Sequence, residues 1–152
     1  MTLTSAGPAF KAAFFNAATS LWAAEDVQVC YGHPGVNMAD DLVVFGGLDT
    51  QQEPATMGAG RSREEILTLE VVVSVYRGGG AEQEQVTAAR AYELLGELET
   101  YVRVTDTTLG GAVRHCFLVS YTSEGVTDLD VLSSGRETDI TAQFAARARI
   151  TS

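Results

Sequence analysis

A chain of 152 residues fits one compact domain, and 45% hydrophobic with 20% charged residues is a globular composition, neither disordered nor fibrous. Twenty acidic residues against ten basic ones give a formal net charge of -10. That balance excludes wrapping of a nucleic-acid duplex and argues against docking on an anionic membrane, since both need clustered cations.

Residues 8–23 carry Phe10, Phe14, Ala17 and Leu21 at helical spacing, widened by Phe15, Ala18 and Trp22, with Pro8 suited to the first turn. The spacing predicts a helix packed across a sheet. Residues 27–31 alternate and end in the turn Gly32–His33–Pro34–Gly35, and 41–46 read as a second short strand closed by Gly46 and Gly47. The segment 48–62 shows neither period and is expected to be a flexible loop. Residues 64–77 are the strongest strand, with Leu67, Leu69, Val71, Val73 and Val75 on one face and Thr68, Glu70, Ser74 and Arg77 marking a wetter opposite side.

Three glycines, 78–80, free the backbone to reverse before a helix over 81–103, whose core stripe is Ala88, Ala91, Leu95, Leu98 and Val102. Residues 112–121 read as a strand, 126–132 as another, and 138–151 as a half-buried antiparallel strand with Ile140, Ala142, Phe144, Ala146, Ala148 and Ile150 inward. The order αβββαβββ predicts an α+β fold: one domain over 1–152, a mixed and mainly antiparallel sheet, and two helices on one face.

Chemical motifs are scarce. Two cysteines, Cys30 and Cys116, are too few for a disulfide scaffold and read as small buried hydrophobes, which suits a reducing cytoplasm. With His33 and His115 they would make a zinc set only if four dispersed residues met across strands. His33 could serve a triad only by reaching Asp40 or Asp41, and no GxSxG elbow accompanies it. The glycine run lacks a GK[ST] ending, and Glu82 and Glu84 at the next helix start would repel phosphate. Glu124, Asp128 and Asp130 lack the glycine and terminal glutamate of an EF-hand. No catalytic residue, cofactor or metal is expected, and no run of 18 apolar residues predicts a membrane span.

The order and turn chemistry are more telling. A leading amphipathic helix is followed by VQVCYGHPG at 27–35, DDLVVFGG at 40–47, ILTLEVVVSVYRGGG at 66–80, ARAYELLGELETYVR at 89–103, LGGAVRHC at 109–116 and SSGRETDITAQFAARARI at 133–150. In these features, over nearly its whole length, the chain resembles the tail terminator, or tail completion, proteins of long-tailed siphophages such as lambda. The resemblance implies a non-enzymatic virion protein, made in the host cytoplasm and placed at the tail neck. It implies a six-membered ring that caps the head-proximal end of the tail tube, stops polymerisation and joins the head connector or stopper protein while DNA passes through. Gln51, Gln52, Glu53, Met57, Arg61 and Arg63 around the expected loop, with Arg147 and Arg149 on the closing strand, are the candidate subunit and tube contacts. The alternatives are another neck component, such as a head-completion protein, and a small cytoplasmic α+β enzyme or ligand-binding protein.

Overall fold

A computed structural model describes residues 4–55 and 61–151. The elements are helix α1 (Gly7–Leu21), strands β1 (Gln28–Cys30), β2 (Asp41–Pro54) and β3 (Arg63–Gly78), helix α2 (Gln83–Thr100), strand β4 (His115–Gly125), the short helix α3 (Leu129–Leu132) and strand β5 (Gly135–Ile150). The strands form one sheet in the order β1-β2-β3-β5-β4. Only β1 and β2 pair in parallel; the other three ladders are antiparallel. The fold is therefore α+β with a mixed, mainly antiparallel sheet.

Alternation in β3 and β5 turns one face of the sheet into a continuous apolar floor. Leu67, Leu69, Val71, Val73 and Val75 lie beside Ala146, Phe144, Ala142, Ile140 and Thr138, and the ten are all buried. Helices α1 and α2 cover that floor and share one hydrophobic cluster with it. Phe14 is the keystone: its ring meets Phe45 and Phe144 edge-on, at centroid distances of 5.1 and 5.0 Å. Burial of such rings, at about 25 cal/mol per Å² of apolar surface, is what holds α1 down.

Several expectations are corrected. The stretch 126–132 is not a strand. Asp128 accepts a hydrogen bond from Asp130 N at 2.8 Å and caps α3, so local capping overrides alternation and the sheet has five strands. The expected loop 48–62 is strand as far as Pro54, paired to β3 from Leu48↔Leu69 through Pro54↔Arg63. Its period is hidden because Gly46 and Gly47 form a bulge that shifts the register, and because Asp49–Pro54 stand exposed beyond the helices, so that the apolar side of the alternation is lost. Arg77 lies on the helix side, where Nη1 donates to Asp41 Oδ1 at 2.6 Å. In α1 the buried stripe is Phe10, Phe14 and Ala18, continued by Trp22 just past the helix end, with Leu21 exposed. Helix α2 continues into a π-helical turn at Tyr101–Thr105, and Thr87 and Leu94 join its buried side. Residues 112–114 precede β4, which starts at His115.

Candidate functional site

Helices α1 and α2 lie on one side; the other face is open except at one end, where α3 and Met38 stand beside Leu42, Ser74 and Tyr76. Cross-strand register places its residues in rows. One row is Gln51, Ile66, Arg147 and His115; the next toward the β2–β3 tip is Glu53, Glu64 and Arg149. Arg114 and Arg149 both reach the buried Glu64 carboxylate, Arg149 Nε at 3.7 Å from Oε2. Toward the opposite end the rows become Asp49, Thr68, Ala145 and Phe117, and finally Leu42, Ser74, Asp139 and Glu124. Acidic side chains thus outnumber basic ones on this face, with the arginines gathered at one end.

Four of the residues expected from sequence, Gln51, Glu53, Arg147 and Arg149, therefore share the arginine end of the open face. Gln52 and Arg63 do not. They turn to the helix side, where Gln52 Nε2 donates to Thr4 O at 3.1 Å and to Glu65 Oε2 at 2.5 Å, and Arg63 Nη2 donates to Thr4 O at 3.3 Å. These contacts fasten the N-terminal segment to the sheet. Arg61 is exposed at the rim of a shallow groove lined by Gln52, Pro54 and Ser62. Met57 lies outside the described residues.

The glutamates that organise this end carry no signal in the sequence beyond being charged residues in an apolar strand. Glu65 is fully buried, and its Oε1 accepts the Ala6 amide at 2.7 Å, capping the start of α1 from the sheet. Trp22 Nε1 similarly donates to Glu97 and ties the far end of α1 to α2.

At the opposite end of the open face, Glu137 and Asp139 stand two residues apart on β5. Burial, followed by the hydrogen bond and charge of Asp139, pushes Glu137 up to about 7. They adjoin a shallow groove lined by Met38, Leu42, Ser74, Tyr76, Val131 and Glu137. The hydroxyl that bonds Glu137 is that of Ser74, which works against the upward shift, while Tyr76 Oη bonds Ser134 Oγ at 2.9 Å. Asp41 is an ion-pair hub. Burial would raise its carboxyl, but Arg77 and Arg90 hold it below the usual range.

The dispersed histidines and cysteines stay dispersed. Cys30 and Cys116 sit on β1 and β4, opposite edges of the sheet, four strand spacings or about 19 Å apart. Burial pushes the Cys116 thiol up to about 12. His33 Nδ1 accepts the Gly35 amide at 2.9 Å in a turn, while Asp41 is already held by arginines. Among the described residues no three His, Cys, Asp or Glu side chains converge as a metal set.

The sheet also leaves two strand edges unpaired. Strand β4 pairs with β5 alone, and β1 covers β2 only at Leu42–Val44, so Leu48–Pro54 has no outer neighbour among the described residues.

No family model and no curated protein matches the chain. Among solved structures it is similar to a chain from the virion of a native gene transfer agent particle, at a TM-score of 0.48 and 14% identity, over 93% of this chain and 94% of that one.

Proposed function

We propose that the protein is a structural virion component without catalysis. Copies of it close into a ring, six-membered in this reading, that caps the head-proximal end of a tail tube, ends tube growth and presents its other side to the head connector or stopper protein. The observation that carries the reading is the open sheet face, which has more acidic than basic side chains and is flanked by two strand edges that are unpaired among the described residues. Its support from sequence is the resemblance to siphophage tail terminators.

The open face suits a passage for DNA. Phosphate is bound by releasing counterions to clustered lysine and arginine, and here the arginines at the tip are met by Glu64. A wall of this composition lets a polyanion slide without holding it, and six copies multiply the -10 charge of each chain. Growth would stop because a ring that matches the tube on one side offers a different set of side chains on the other. The arginine end, with Gln51, Glu53, Arg61, Arg147 and Arg149, is the surface assigned to subunit and tube contacts. The carboxyl pair Glu137–Asp139 is read as a structural element of the opposite rim.

The test is to add the purified protein to growing tail tubes that lack it and to image them by negative stain. Tubes of uniform length with extra density at one end agree with the reading. Tubes that grow on unchecked, with the protein unattached, contradict it.

A further inference from the structure

The two free edges of the sheet match each other. Following the antiparallel ladders, β2 and β5 run one way and β3 and β4 the other. A second copy set beside the first, rotated about an axis along the strands, therefore brings β4 against β2 in the antiparallel sense, the commoner pairing. Both edge strands are bulged, and at the same height. In β2 the register breaks between Phe45 and Leu48, opposite Val71 and Leu69; in β4 it breaks between Leu118 and Ser120, opposite Phe144 and Gln143. Leu69 pairs with Phe144 and Glu70 with Gln143, so the two bulges lie on one cross-strand row. A bulge bends its strand, and edges bent at the same level can stay in register.

The chemistry of the edges is complementary as well. Strand β4 carries neither lysine nor proline, two of the usual guards against pairing, and it exposes Phe117, Val119 and Tyr121, each about half open to solvent. Its entry is basic, with the Arg114 and Arg149 side chains 52% and 51% exposed. The free stretch of β2 carries Asp49 and Glu53, both exposed, and no cation.

We propose that copies join head to tail by β-augmentation: His115–Leu118 of one copy pairs antiparallel with the Leu48–Gln51 stretch of the next. Arg114 and Arg149 then face Glu53 of the partner subunit, and Phe117 lies beside Asp49 of the partner subunit. Opposite edges make the contact heterologous, and such contacts close into a ring when the rotation per copy permits. The inference rests on the ring reading and specifies its joint.

The experiment places the photo-crosslinking residue p-benzoylphenylalanine at position 117 of the full chain. The protein is irradiated across a concentration series and in the presence of tail tubes, and the crosslinked peptides are mapped by mass spectrometry. Crosslinks from position 117 into 42–55 of another copy are expected. An oligomer whose crosslinks run from β4 to β4, or from β4 to the helices, overturns the edge pairing and leaves the ring reading standing. Protein that stays monomeric under every condition overturns both. A second measurement uses the double variant Asp49→Arg, Glu53→Arg, two exposed positions at which folding is retained, checked by its melting curve. The concentration for half-assembly should rise about tenfold or more, since each factor of ten is about 1.4 kcal/mol; an unchanged value removes the charge complementarity from the account.

Discussion

Glu65 shows how a single charged residue in an apolar strand can set the position of a helix. Its fully buried carboxylate is satisfied by the Ala6 amide and the Gln52 side chain, so Glu65→Ala strips the α1 start of its cap and leaves a buried donor unpaired. The expected cost is about 1–3 kcal/mol, read from chemical denaturation, with Glu65→Gln, which retains an acceptor oxygen, losing less. Equal losses for both variants would mean that the cap is immaterial. Gly135 is constrained by space. A Cβ there would stand 2.3 Å from the Arg77 carbonyl oxygen and 2.7 Å from Tyr76 Oη, so Gly135→Ala must prise β3 from β5 at their closed end. It should destabilise by about 1–3 kcal/mol; a thermal melt unchanged from the parent would contradict the close approach. Glu137 gives a pH signature. Its folded pKa, about 7, lies above its ordinary 4.5, so its contribution to stability is complete below pH 4.5 and is lost as pH rises to 7. Glu137→Gln should therefore raise the melting temperature relative to the parent at pH 8 by up to about 2–4 °C, a ceiling set by solvent screening of a half-exposed pair, and should do little at pH 4. A gain of the same size at both pH values would remove Asp139 repulsion as its cause.

At the scale of elements, the sequence spoke clearly wherever burial was one-sided. Strand β5 alternates without a break from Ile140 to Ile150, and the helical stripes of α1 and α2 lie within a residue or so of their observed faces, because one face of each meets the same core. Legibility failed where a local device interrupts the period. The Gly46–Gly47 bulge resets β2, and past it the strand leaves the shelter of the helices, so an extended segment paired to β3 on one side only has the composition of a loop. In 126–132 a single capping aspartate, Asp128, turns an alternating stretch into a helical turn. The candidate residues divided for the same reason. Gln51, Glu53, Arg147 and Arg149 fell on one face because strand parity sorts them together. Gln52 and Arg63 have the opposite parity, which could not be assigned for 48–62 without knowing that β2 continued through the bulge. Glu64, Glu65 and Arg114 went unremarked because pairing across strands depends on register, which is a property of the folded sheet.

For the whole molecule, the asymmetry of the sheet is the feature from which function is built. One face is sealed by two helices and a common aromatic core, which gives a rigid slab. The other is open over most of its length, carries more acidic than basic side chains, and is bounded by two edges whose bulges align. A slab with a finished back and joinable sides is a unit for closing around an axis, and its front then lines the hole. The most direct measurement is end-on electron microscopy of the purified protein, with class averages taken across a concentration series and on isolated tail tubes. The account predicts closed rings with an open centre, six copies around, seated singly at tube ends. Isolated subunits under all of these conditions, or open filaments that never close, would contradict it.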